Sequence, residues 1–133
     1  MRNSRIFDPG FRMSILDGVV LVAGAAGVAF AAKSAPELAM AIGFTVGHFF
    51  LFCNLIRMRR VSELAWAAAF LALSTLSSFS NLLAWGSVFA AASVMTVVLV
   101  VIELRSPSYH GIFWWRVNPS LESWWNLDQG PLS

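Results

Sequence analysis

The chain has 133 residues, of which 58% are hydrophobic and only 12% are charged. An ordinary soluble domain has about 25% charged residues, so this composition argues against a soluble globular domain, and equally against disorder, collagen and a disulfide scaffold. The single cysteine, Cys53, excludes an intramolecular disulfide. The composition therefore indicates a membrane protein, and the length indicates one domain.

Apolar runs of helical length predict an all-α fold with four transmembrane helices. The first two runs are each long enough to cross a hydrocarbon core of about 30 Å. The third run, residues 64–102, contains no Asp, Glu, Lys, Arg or His. As one helix it would be about 58 Å long, so we expect it to fold back at the polar stretch 77–81. The predicted helices are 15–32, 38–56, 64–79 and 82–102.

The placement of charge predicts how these helices are oriented. With four spans and the N-terminus inside, eight of the nine basic residues lie inside and only Lys33 lies outside. This agrees with the positive-inside rule for a multi-pass membrane protein. A three-span arrangement would move Arg105 and Arg116 outside. We therefore expect a transmembrane domain over 1–105, a tail over 106–133 and both termini in the cytoplasm.

His48 is the ionisable residue that most needs an explanation, because it lies near the midpoint of the second predicted helix. One interpretation is a neutral imidazole bonded to a backbone carbonyl or to a hydroxyl such as that of Ser93 or Thr96. The other is a candidate cofactor-binding or ligand-binding residue. A haem held by two histidines is not expected, since His110 lies outside the predicted helices. His48 and Cys53 alone make a poor zinc site, so we expect neither a metal nor a cofactor.

The second predicted helix also carries a packing pattern. Gly43, Gly47 and Asn54 share one face, and a Gly-x-x-x-Gly pair lets another helix approach closely. Asn54 is placed to form a hydrogen bond across that contact. The contact is expected within the chain or with another subunit. Upstream, Ser34 and Glu37 have the spacing of a capping box that would start this helix.

Two groups of residues are expected at the cytoplasmic surface. Arg57, Arg59 and Arg60 either set the orientation and form ion pairs at this rim, or bind anionic lipid headgroups at about 1 kcal/mol per basic residue. Four of the six tryptophans lie in the tail. They either anchor an amphipathic segment at the membrane interface or dock on a protein partner. These tryptophans are Trp114, Trp115, Trp124 and Trp125.

Two stretches of the chain resemble a group of uncharacterised small multi-pass proteins of the bacterial inner membrane. The first is GHFFLFCNLIRMRR, residues 47–60, followed by Glu63 and Leu64. The second is RSPSYHGIF, residues 105–113, followed by Asn118-Pro119. The resemblance implies a bacterial inner membrane and functional importance for both stretches, but no activity, cofactor or substrate.

The sequence contains no P-loop, G-x-S-x-G, H-E-x-x-H, EF-hand or C-x-x-C motif. We therefore expect a non-catalytic accessory or structural subunit of a membrane complex, whose partner is a membrane protein or a second copy and not a nucleic acid. The alternative is a binder or transporter of a small amphiphile, such as a quinone or a lipid, with a pocket around His48, Asn54 and Arg57. An enzyme using His48 or His110 as acid or base lacks a predicted partner carboxylate or nucleophile.

Overall fold

The computed structural model describes residues 7–128, and this part of the chain contains helices and no strands. The all-α prediction is confirmed, and the first four helices lie within a few residues of their predicted positions. A π-helical segment continues the second helix. The elements are α1 (Ile15–Ala31), α2 (Pro36–Phe50), the π segment (Leu51–Ile56), α3 (Arg60–Ser80), α4 (Trp85–Leu104), α5 (Trp114–Val117) and α6 (Leu121–Asp128).

Within residues 7–128, three helical stretches are long and apolar enough to cross a membrane, as expected for a membrane protein. They are Pro36–Ile56, Arg60–Ser80 and Trp85–Leu104. The shorter α1 is also apolar and has 17 residues. Its start is fixed by a capping box, in which the Asp17 amide donates to Ser14 Oγ at 3.2 Å and the Ser14 amide donates to the Asp17 carboxylate at 2.6 Å.

Two local predictions need correction. The capping box predicted for Ser34 and Glu37 is wrong, because α2 is capped by Ala35 and no side chain bonds to its first turn. The turn between α3 and α4 begins later than predicted, since α3 continues to Ser80 and Asn81 ends it in the left-handed conformation. Ser77 therefore lies inside α3, and its hydroxyl donates to the carbonyl of Leu83 at 2.8 Å.

The first four helices form two hairpins, α1–α2 and α3–α4. In the first hairpin, glycines of α1 face branched side chains of α2. A Cβ on Gly24 would lie 2.7 Å from Val46 Cγ2, and one on Gly27 would lie 3.6 Å from Ile42 Cγ2. The glycine- and alanine-rich sequence of α1 therefore lets the two backbones approach closely.

The two hairpins meet at the end of the molecule where the π segment finishes and α3 begins. The buried cluster there contains one residue of the tail, Tyr109, together with residues of the helices. The cluster comprises Phe52, Ile56, Met58, Trp66, Phe70, Val88, Ala92 and Tyr109.

Candidate functional site

His48 lies in a stack of aromatic rings where α2 meets α3. Its imidazole is nearly parallel to the Trp66 indole, with ring centroids 4.8 Å apart and an interplanar angle of 11°. Phe70 stacks on the same indole at 5.2 Å and 8°. Phe44 and Phe52 lie 4.1 Å and 5.8 Å from the imidazole. The imidazole is therefore surrounded mainly by aromatic carbon.

His48 forms a hydrogen bond within its own helix. Its Nδ1 lies 2.8 Å from the carbonyl oxygen of Phe44. A carbonyl only accepts, so Nδ1 carries the proton of this bond. Of the two kinds of partner expected for His48, the structure contains the backbone carbonyl and not a hydroxyl. Thr96 Oγ1 instead accepts from Trp66 Nε1 at 2.9 Å and donates to the carbonyl of Ala92 at 2.8 Å.

The structure does not bring His48 together with Asn54 and Arg57. His48 faces α3, whereas the other two side chains face the segment that precedes α1. With its amide oriented to donate, Asn54 lies 3.0 Å from an Asp17 carboxylate oxygen. Arg57 donates to the backbone carbonyl of Asp8, and burial lowers the pKa of its guanidinium. The three residues therefore belong to two different environments.

The two glycines of α2 that were predicted to form one packing surface have different surroundings. A Cβ on Gly43 would lie 3.5 Å from Val28 of α1, which is ordinary van der Waals contact. At Gly47, no described residue lies within 4 Å of the same position. Only Gly43 therefore contributes to packing inside the described part of the chain.

A structural feature that the sequence analysis missed lies at the end of the π segment. The last carbonyls of a helix lack partners within the helix and need them from elsewhere. Here they accept from two distant backbone segments, one before α1 and one after α4. The contacts are Arg12 N–H to Asn54 O at 3.3 Å, Ile112 N–H to Leu55 O at 2.7 Å and, joining the two segments, Gly10 N–H to His110 O at 2.8 Å. We call residues 8–12, 54–57 and 109–112 the terminal clasp.

Gly111 allows the terminal clasp to close. A Cβ at this position would lie 2.5 Å from the carbonyl oxygen of Ile56 and 2.6 Å from that of Leu55. Beside it, Tyr109 is 1% exposed and its hydroxyl donates to the carbonyl of Ile112 at 2.8 Å. Burial raises the pKa of the Tyr109 phenol, and the nearby Glu103 carboxylate acts in the same direction.

The π segment ends at Arg57, which adopts the left-handed conformation with φ of 54°. Glycine or asparagine is the usual residue at such a helix end, so no sequence signal marks this stop. The clasp joins parts of two stretches named in the sequence analysis, residues 47–60 and 105–113.

The three rim arginines have different surroundings. Arg59 Nε donates to Glu103 Oε2 at 3.3 Å, and the Glu103 side chain is 3% exposed whereas that of Arg59 is 59% exposed. Arg57 belongs to the terminal clasp, and Arg60 is exposed at the start of α3. An ion pair at this rim is therefore present for Arg59, and Arg60 is free to face solvent or headgroups.

The tail tryptophans divide into two kinds. Trp114 and Trp125 both contact Phe7 edge-on, each with ring centroids 5.7 Å apart. These rings bind the tail to the chain's own N-terminal segment, a contact that the sequence analysis did not consider. Trp115 is 55% exposed, and Trp124 is half-buried.

Comparison with protein families, curated proteins and solved structures gives no significant match to this chain. The family resemblance therefore stays a prediction. The function has to be argued from the geometry of the helices, the terminal clasp and the exposed faces.

Proposed function

We propose that the chain crosses the bacterial inner membrane four times, with both termini in the cytoplasm. The three long apolar helices and the apolar α1 supply the spans. The connection Arg57–Arg60 and Arg105 lie at the end of the bundle that carries the terminal clasp, and Lys33 lies in the α1–α2 connection at the other end. This distribution of arginine supports placing the clasp on the cytoplasmic side.

Within that membrane, we propose that the protein is a non-catalytic accessory or structural subunit, held to a partner or to a second copy by exposed helix faces. The observation that carries this proposal is Gly47, a glycine inside α2. A Cβ built at this position has no described residue within 4 Å. A glycine inside a helix costs about 1 kcal/mol relative to alanine. Close approach of another chain accounts for that cost, because glycine lets transmembrane helices pack backbone to backbone.

Two further observations support this role. Gly18 of α1 is likewise open, and it borders an apolar groove lined by Val22 and Ala26. His48, the residue best suited to acid–base chemistry at this depth, is packed among aromatic rings. Both observations favour contact between helices over catalysis.

The test is the mass of the protein purified in mild detergent, measured by native mass spectrometry. We expect the wild-type chain in an oligomer or with a co-purifying membrane protein, and Gly47→Leu as a monomer. The matched control is Ala90→Leu, at an exposed position of α4, which should keep the wild-type mass. A wild-type chain that is strictly monomeric, with no co-purifying protein, would contradict the proposal.

A further inference from the structure

The two hairpins separate away from the terminal clasp and leave an open cleft of about 1230 Å³ between α2 and α3. Its walls are built from Leu38 and Ala41 of α2 and from Ala67 and Leu71 of α3. The α3–α4 turn lies at its mouth. We call this space the α2–α3 cleft.

The depth of the cleft matches one leaflet of a bilayer. Its α2 wall runs from Ala35 to Val46, which is about 16 Å at 1.5 Å per residue. That length is roughly half of the 30 Å hydrocarbon core. Phe70 forms part of the inner end and stacks on Trp66, so aromatic rings fill the space beyond. A transmembrane helix docked in the cleft would have to continue into the half of the membrane where these rings fill the space. The acyl chains of a lipid end at the midplane and therefore fit the cleft.

The polar groups of the cleft lie where a lipid presents polar atoms. Glu37 and Asn81 are exposed at the mouth. Glu37 does not cap α2, and it forms no ion pair within residues 7–128. Deeper in the cleft, the hydroxyl of Thr45 donates to its own helix, but the buried Ser74 Oγ has no partner among the described residues.

We propose that the α2–α3 cleft binds one phospholipid with a primary ammonium headgroup, taken from the leaflet opposite the terminal clasp. The acyl chains lie between Ala41 and Ala67. The ammonium group donates to the Glu37 carboxylate and the Asn81 amide oxygen, which are acceptors for its three N–H groups.

The experiment measures lipid retention by native mass spectrometry on the purified chain, after incubation with phosphatidylethanolamine, phosphatidylcholine or phosphatidylglycerol of identical acyl chains. We expect one phosphatidylethanolamine per chain, retained at least fivefold more than either other lipid. Glu37→Gln should remove that preference, and Glu122→Gln in the tail should leave it unchanged. Equal retention of the three lipids by the wild-type chain would overturn the proposed headgroup.

A matched pair of variants tests the location. Ala67→Phe fills the cleft and should abolish retention, whereas Ala68→Phe, one residue further and outside the lining, should keep it. Helicity by circular dichroism and thermal stability show that both variants fold. Equal retention by the two variants would overturn the site, as would a photo-crosslinker at Leu71 that captures a polypeptide instead of lipid. Lipid retention is counted per chain in whatever assembly the protein forms, so this result is independent of the proposed subunit role.

Discussion

Replacing Gly111 by alanine tests the terminal clasp at its tightest point. The new Cβ would lie 2.5 Å from the carbonyl oxygen of Ile56 and 2.7 Å from the Tyr109 hydroxyl. The nearest atoms are backbone, so rotation of a side chain cannot relieve the clash. The tail must move away, and the bond from Ile112 N–H to Leu55 O, now 2.7 Å, is lost.

The magnitude follows from what that movement breaks. The bonds made by the Ile112 amide and the Tyr109 hydroxyl are each worth about 1 kcal/mol. Overpacking adds about 1–3 kcal/mol. We therefore expect Gly111→Ala to lower the free energy of unfolding by about 3 kcal/mol, the sum of these contributions at the low end of the overpacking range.

The assay is unfolding in mixed micelles followed by tryptophan fluorescence, together with hydrogen exchange of the Ile112 amide. Gly86→Ala is the matched control, because its position in α4 is open and the residue has no part in the proposed contact, and we expect it to be neutral or stabilising by up to about 1 kcal/mol. A change of less than about 0.5 kcal/mol in the free energy of unfolding is typical of ordinary surface substitutions. If Gly111→Ala changes it by no more than that, and the Ile112 amide stays protected, the geometry of the clasp is refuted.

Three further predictions concern other contacts. Burial raises the pKa of Tyr109. Its contribution to the free energy of unfolding is therefore present below the unfolded pKa of about 10 and is lost as the pH rises through the folded pKa. Unfolding titrations between pH 8 and 12 should show this loss in the wild type and not in Tyr109→Phe. Gly24→Leu should destabilise the α1–α2 hairpin by about 2 kcal/mol, because the added side chain meets Val46; unchanged thermal stability would refute this contact. Thr96→Val should cost about 1 kcal/mol and alter Trp66 fluorescence, since it removes the nearer of two acceptors of the indole N–H, at 2.9 Å, and leaves the carbonyl of Ala92 at 3.2 Å. An unaltered emission spectrum would count against the bond to Thr96.

The helices could be predicted from the sequence because a membrane span needs about 20 apolar residues, and uninterrupted runs of that length are easy to count. The break in the third run was placed close to its real position because serine and asparagine cluster there. Exact boundaries were less predictable. Asn81 and Arg57 end their helices in the left-handed conformation, and only asparagine is a typical residue for that position.

The candidate sites were predicted less well because they depend on which distant segments meet. The carbonyl partner of His48 lies four residues before it, within reach of a local argument. The hydroxyl of Thr96, one of the alternative partners offered for His48, instead accepts from Trp66, and the sequence does not show that these two residues meet. The terminal clasp joins Leu55 to Ile112 through backbone atoms, which every residue type carries, so no side-chain pattern marks it.

The tail makes a contact that the sequence analysis did not include. Tryptophans in a membrane protein are commonly placed at the interface, and four of them in one segment favoured that prediction. In the structure, Trp114 and Trp125 contact Phe7 on the other side of the clasp. Two of the four tail tryptophans therefore pack against the segment that precedes α1. Trp115, which is 55% exposed, is the tail tryptophan most available to lipid or a partner.

The central claim is that the segments flanking the membrane helices meet on one side of the membrane, at the arginine-rich end of the bundle. Labelling of single cysteines with a membrane-impermeant maleimide tests it most directly, in a Cys53→Ser background in bacterial cells. We predict that a cysteine at Ser34 is labelled in intact cells and one at Ser123 only after the membrane is permeabilised. Labelling of the Ser123 position in intact cells would contradict the account.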